Sequence, residues 1–233
     1  MANEEWVNLS SGGSPMRCLI QKPRAKPRGG VVLIHGGWGL DASVARLAKR
    51  LSLVDYTVVA PDMYHREKGE ASKDVAERMA RLTWAGAKAD IAAAMDHLTA
   101  KEGVDAGKIA ILGYCMGGAM AWMAGAELPC ATVLLYYPHD MFKAFGTNGQ
   151  VPFELTPRVP VLGHFGVEDT NPSPEDAKRL LAHLAEKKIT HQFYHYQDAG
   201  HGFLGALPEL YRQIPANTSI DRTVGWLDMH IKG

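Results

Sequence analysis

The chain is poor in cysteine, carries no net charge and has no apolar run long enough to span a membrane. Three cysteines in 233 residues, Cys18, Cys115 and Cys130, are too few and odd in number for a disulfide framework. They suit a reducing compartment, and a cytoplasmic location is expected. Lys and Arg together number 25 and so do Asp and Glu, which argues against nucleic acid or an anionic membrane held by bulk electrostatics. The opening residues Met1-Ala2-Asn3-Glu4-Glu5 are acidic where a secretion signal carries bases before an apolar core. The stretch from Ile109 to Ala126 lacks any charge, yet Gly113, Gly117, Gly118 and Gly125 interrupt it and it falls short of the ~20 apolar residues of a membrane helix. A strand, a glycine turn and a buried helix account for it better.

What is present is the composition of a globular protein, with 46% hydrophobic and 21% charged residues. Neither an internal repeat nor a linker divides the chain, and one α/β domain over residues 1–233 is expected. Val31–Ile34, Thr57–Ala60, Ile109–Leu112, Thr132–Leu135 and Pro160–His164 read as strands, and their unbroken apolar character suits strands covered on both faces. His191–Tyr196 alternates and reads as an edge strand, while Trp6–Leu9 and Met16–Gln21 form a candidate antiparallel hairpin. Helices are expected at Ser43–Ser52, Lys73–Ala100, Met116–Glu127, Pro174–Glu186 and Thr218–Ile231. Ser173-Pro174-Glu175-Asp176 is a helix start, with a capping hydroxyl, a first-turn proline and acids at the positive end of the dipole. Strand–helix alternation of this kind predicts a doubly wound, mostly parallel sheet with helices on both faces.

Gly113-Tyr114-Cys115-Met116-Gly117 lies between a predicted strand and a predicted helix, the context in which G-x-nucleophile-x-G has physical meaning. The turn forces a strained backbone on the central residue, and glycines relieve crowding on either side. Most free cysteines are merely small buried hydrophobes. This one stands where a thiol would project above the sheet beside a helix N-terminus. A nucleophile needs a base, and the base needs an orienting acid. Gly166-Val167-Glu168-Asp169 and Asp198-Ala199-Gly200-His201-Gly202-Phe203 follow later strands, so Cys115, Asp169 and His201 satisfy the order nucleophile, acid, histidine. Glu168 competes with Asp169; the shorter arm favours Asp169. His35, His164 and His195 sit in or beside strands, where packing is their ordinary role. The oxyanion hole is expected at the N–H groups of Met116 and of Gly37 in His35-Gly36-Gly37-Trp38-Gly39, a run that also fits a plain tight turn. No C-x-x-C or H-E-x-x-H spacing points to a metal.

Ala60-Pro61-Asp62-Met63-Tyr64, the Cys115 elbow continuing through Gly118-Ala119, Gly163-His164-Phe165-Gly166 leading to Asp169, and Tyr196-Gln197-Asp198-Ala199-Gly200-His201-Gly202-Phe203 together resemble the dienelactone hydrolase family. The resemblance runs from Val31 onward. It implies an α/β-hydrolase fold, a Cys-His-Asp triad and ester or lactone hydrolysis without cofactor, on a monomer or weak homodimer. Two features depart from the family pattern. Gly36 stands where well-known members carry a glutamate beside the nucleophile, and Phe203-Leu204-Gly205 lacks the arginine that follows their histidine. Arg78 or Arg81 is left as a candidate for the substrate carboxylate, with a solvated helix face as the alternative. Trp38 and Phe203 are candidate walls of the acyl pocket.

The sequence therefore predicts a hydrolase acting on a small ester or lactone, with Cys115 as nucleophile, His201 as base and Asp169 as orienter. Two rivals on the same scaffold are a non-catalytic ligand-binding protein and a redox sensor whose Cys115 is oxidised rather than acylated. Ester turnover separates the first, and an acyl adduct separates the second.

Overall fold

The computed structural model describes residues 3–67, 74–147, 149–205 and 207–231. Its strands are β1 (Asn3–Ser11), β2 (Ser14–Lys22), β3 (Gly29–Ile34), β4 (Tyr56–Pro61), β5 (Ile109–Tyr114), β6 (Thr132–Tyr136), β7 (Val161–Gly166) and β8 (His191–Tyr196). They form one sheet in the order β1-β2-β4-β3-β5-β6-β7-β8. The β1–β2 hairpin joins β4 antiparallel, and every pairing from β4 to β8 is parallel. The alternating segment β8 is indeed an edge strand.

The helices are α1 (Ala42–Ser52), α2 (Val75–Ala80), α3 (Trp84–Ala100), α4 (Met116–Glu127), α5 (Pro174–Glu186) and α6 (Gln213–His230). The continuous apolar character of the central strands has a direct cause in their period of two. Val32, Ile34 and Ile111 join α3, α4 and α5 in one core, whereas Val31, Leu33 and Leu112 join α1 and α6 in the other. Both faces are covered, as in an α/β-hydrolase fold. Helix α4 is buried along nearly its whole length, which explains why residues 109–126 carry no charge. No helix among the described residues is long and apolar enough to cross a membrane.

Two helix boundaries differ from expectation. The segment expected as one helix from Lys73 to Ala100 is two, α2 and α3, and Lys73 itself lies outside the described residues. Thr83 makes the break: it adopts an extended backbone, and its hydroxyl accepts the Gly86 N–H at 3.2 Å as the cap of α3. The Leu82 carbonyl just before it receives the Thr147 N–H, so tertiary packing holds the interruption open. Helix α6 starts at Gln213 rather than Thr218, because Pro215 falls in the first turn, where no backbone donor is needed. By contrast Ser173 caps α5 as expected, with Asp176 returning the bond to the Ser173 backbone at 3.0 Å.

Candidate active site

The loops at the C-terminal ends of β3, β5, β6, β7 and β8 converge, which is where an open α/β sheet gathers its chemistry. Cys115 is the single residue between β5 and α4, and it holds φ 56° and ψ −125°. Such a conformation costs a non-glycine residue roughly 1–3 kcal/mol and persists only where its surroundings fix it. Here they do. The Cys115 N–H donates to Tyr136 O at 3.0 Å, and its carbonyl accepts from Gly118 N–H at 2.9 Å and His139 N–H at 3.0 Å. A Cβ on Gly113 would stand 1.9 Å from Gly117 O, and one on Gly117 would stand 2.4 Å from Ile34 O. The two flanking glycines thus let α4 dock directly on the ends of β3 and β5.

The loops that carry Asp169 and His201 are joined by their backbones. Val167 N–H donates to Tyr196 O at 3.0 Å and Glu168 N–H to Ala199 O at 2.9 Å. This approach requires Gly166, whose Cβ would lie 2.3 Å from Ala199 O. The result sets Asp169 Oδ2 3.0 Å from His201 Nδ1, while Asn171 N–H occupies Oδ1 at 2.9 Å. Asp169 is buried, whereas its competitor Glu168 is exposed and joins the site only through its backbone. Burial opposes charge on the His201 ring. The hydrogen bond with Asp169 and the neighbouring Cys115 sulfur outweigh it and push the imidazole up to about 10. Its Nε2 is buried and has no hydrogen-bond partner among the described residues. Cys115 Sγ, a ring nitrogen of His201 and a ring nitrogen of His139 all lie within 4.8 Å of one another.

The loop after β3 is fixed from two sides. His35 is fully buried and accepts the Met63 N–H at Nε2 (3.0 Å), so its proton sits on Nδ1, 2.6 Å from Gly36 O. Burial lowers its pKa, consistent with a neutral ring. The peptide plane whose carbonyl His35 holds is the one whose N–H belongs to Gly37, so that donor is oriented from behind. Tyr64 Oη–H fixes the next plane by donating to Gly37 O at 3.0 Å. Gly37 lines a cavity of about 40 Å³ with Trp38, Cys115, Tyr137, His201 and Leu210. Met116 opens α4, so its N–H has no carbonyl one turn back within the helix. A Cβ on Gly36 would touch Cys115 Cβ at 3.2 Å, which leaves little room there for a second carboxylate.

The substrate-side expectations fare unevenly. Trp38 is half exposed on the wall of the small cavity. Phe203 is not at the cavity at all: it is fully buried, packed edge-on against Tyr137 at 5.1 Å and close to Tyr196. Arg78 is engaged elsewhere, with Nε 3.0 Å and Nη2 2.7 Å from the Glu67 carboxylate and its guanidinium 3.8 Å over the Tyr64 ring. Arg81 pairs with Glu77 on an exposed face of the same segment. Both line a separate cavity with Met63 and Leu82, not the one beside Cys115. A larger cavity of about 210 Å³ lies under α2, bounded by Met79, Met116, Ala119, His139 and Phe145. His139 escaped the sequence reading. Its signal was positional: it follows β6 in Tyr137-Pro138-His139-Asp140, at the same edge as the other loops.

A family model for the "Dienelactone hydrolase family" matches residues 16–231. The chain belongs to that family. It is a hydrolase of the ester or lactone type. A "Putative carboxymethylenebutenolidase" of Salmonella typhimurium is 24% identical over 230 residues, covering 94% of this chain and 85% of that one. Among solved structures, a "Putative Dienelactone Hydrolase" from Klebsiella pneumoniae superposes with a TM-score of 0.89 at 19% identity, over 97% of this chain and 98% of that one. A dienelactone hydrolase-like promiscuous phosphotriesterase from metagenomic libraries gives 0.78 at 21% identity, with 98% of each chain covered. At these identities the structural likeness speaks for the fold.

Proposed function

We propose that this family member cleaves small, uncharged carboxylic esters or lactones through a thioester on Cys115. With the proton held on His201 Nε2, Sγ attacks the carbonyl carbon, and the N–H groups of Gly37 and Met116 receive the developing oxyanion. As the tetrahedral species collapses, His201 returns its proton to the departing alkoxide. Water then attacks the thioester with His201 as base, releasing the acid and restoring the thiol. Asp169 holds the ring in one tautomer and stabilises its charged form. Neither a metal nor an organic cofactor enters this scheme. The observation that carries the reading is the strained Cys115 beside the unpartnered Nε2 of a histidine anchored 3.0 Å from Asp169.

The preference for an uncharged acyl group follows from the wall under α2. Methionine, alanine and phenylalanine side chains supply most of it, and Arg78 and Arg81 spend their charge on Glu67 and Glu77. Among the described residues no lysine or arginine lines this cavity, so a buried carboxylate there would lack a fixed cationic partner among them. The test is turnover of p-nitrophenyl acetate and butyrate beside a p-nitrophenyl ester whose acyl chain ends in a carboxylate. Efficient cleavage of the first two with weak cleavage of the third is expected. Equal or preferred cleavage of the carboxylated ester would contradict the assignment of substrate class.

A further inference from the structure

We propose that Cys115, His201 and His139 form a binding site for a borderline-soft divalent cation, zinc being the probe, and that its occupancy switches hydrolysis off. The switching rests on the catalytic reading above; the binding does not. Thiolate sulfur and imidazole nitrogen are the preferred zinc donors. With Zn–S near 2.3 Å and Zn–N near 2.0–2.1 Å, the one sulfur and two nitrogens of a tetrahedral site stand about 3.3–3.6 Å apart. The three donor atoms already lie within 4.8 Å of one another, so they need draw in by no more than about 1.5 Å. Rotations about the short Cys115 arm and the half-buried His139 ring are of that size.

Three further features fit a cation. His201 Nδ1 is taken by Asp169, which leaves the buried, unpartnered Nε2 as the nitrogen available for binding. A carboxylate behind a histidine is also the support that raises the basicity of zinc-bound imidazoles. His139 also has a carboxylate nearby, its Nε2 3.5 Å from Asp140 Oδ2 at ion-pair rather than hydrogen-bond range, and Asp140 is itself held by Asn171 Nδ2 at 2.6 Å. Finally, three protein ligands leave a fourth position for water, so the site need not be closed. Binding releases the Cys115 thiol proton, and the imidazolium proton where present, to solvent. It changes no oxidation state and breaks no carbon bond. One cation would thereby occupy the sulfur lone pair and the base nitrogen at once.

The experiment titrates zinc into the full-length chain against a competing chromophoric chelator, with p-nitrophenyl ester turnover followed in the same zinc buffers. One zinc per chain is expected, with turnover falling in step with occupancy and returning after EDTA. Loss of an outer-shell partner alone commonly weakens a site about 10- to 100-fold, so His139→Gln should weaken zinc binding at least about tenfold. Glu168→Gln should leave it unchanged. Equal zinc affinity in wild type and His139→Gln would reduce the effect to thiol capping and overturn the site. Should His139→Gln fail to fold, cobalt(II) added to the unaltered chain decides the matter. Intense tetrahedral bands with a thiolate charge-transfer band support the site, and a pale octahedral spectrum refutes it. Absence of ester turnover in zinc-free protein would count against the catalytic reading alone, since the chelator and cobalt measurements still judge the metal.

Discussion

The two sides of the cleft are built on different principles. On the acid–base side, Cys115, Asp169 and His201 are placed by turns whose backbones are bonded to one another, through Tyr136 O, Tyr196 O and Ala199 O. On the α2 side, long side chains decide who faces the cavity, and the arginines turn to Glu67, Glu77 and the Tyr64 ring. Backbone-fixed groups tolerate little rearrangement, whereas an arginine chooses among any carboxylates its flexible arm can reach. Under the proposed mechanism the first side carries the chemistry and the second shapes selectivity.

Substitutions that separate the two sides should differ by orders of magnitude. Cys115→Ala should abolish ester hydrolysis while circular dichroism shows the fold intact, since only one small side chain is removed. Turnover near the wild-type rate in that folded variant would dissolve the comparison. Asp169→Asn should lower kcat by up to ~10⁴, because the anion that orients and supports His201 is gone. Glu168→Gln should change kcat little, as its side chain is exposed. A reversal of those two results would move the acid by one residue and undo the account of the loop.

The Asp169–His201 pair also leaves a mark on stability. His201 is raised from near ~6.5 in the unfolded chain to about 10 when folded, so its contribution is complete below about pH 6.5 and is lost as pH rises through about 10. The melting temperature should therefore fall across that window, and less steeply in Asp169→Asn. Identical slopes for the two proteins would mean that the Asp169–His201 pair carries none of the effect.

The smallest effects should come from the α2 side. Arg78→Met leaves the part-buried Glu67 without its partner and should cost about 1.5–3 kcal/mol of stability, with ester turnover little changed. Arg81→Ala removes only an exposed i,i+4 pair and should cost about 0.5 kcal/mol or less. Thermal melts and steady-state kinetics on both variants check this. A large rise in KM for an uncharged ester in either would place an arginine back at the substrate.

The same contrast explains what was legible in the sequence. The central parallel strands were readable because they are apolar on both faces, and Ser173 announced α5 through its own local bonds. The Cys115, Asp169 and His201 loops were readable because glycines mark where backbones must approach, as at Gly113, Gly117 and Gly166. Phe203 could not be placed from its position beside His201. The turn after His201 directs it inward onto Tyr136 and Tyr137, a matter of tertiary packing. Arg78 misled for the same reason, since nothing near it in sequence names Glu67 as its partner. The break at Thr83 depends on a carbonyl engaged by Thr147, far along the chain. His139 had no glycine signature around it, and only the sheet order shows that its loop meets the other loops.

The central claim is that Cys115 carries the acyl group. Wild-type protein quenched in acid during turnover of p-nitrophenyl acetate, digested and mapped by mass spectrometry, tests it directly. The account predicts an acetyl group on the peptide containing Cys115, absent from the peptides of Cys18 and Cys130, whose buried thiols are pushed up to about 12. Sustained turnover with no acetyl on Cys115, or a Cys115 found only oxidised, would contradict it.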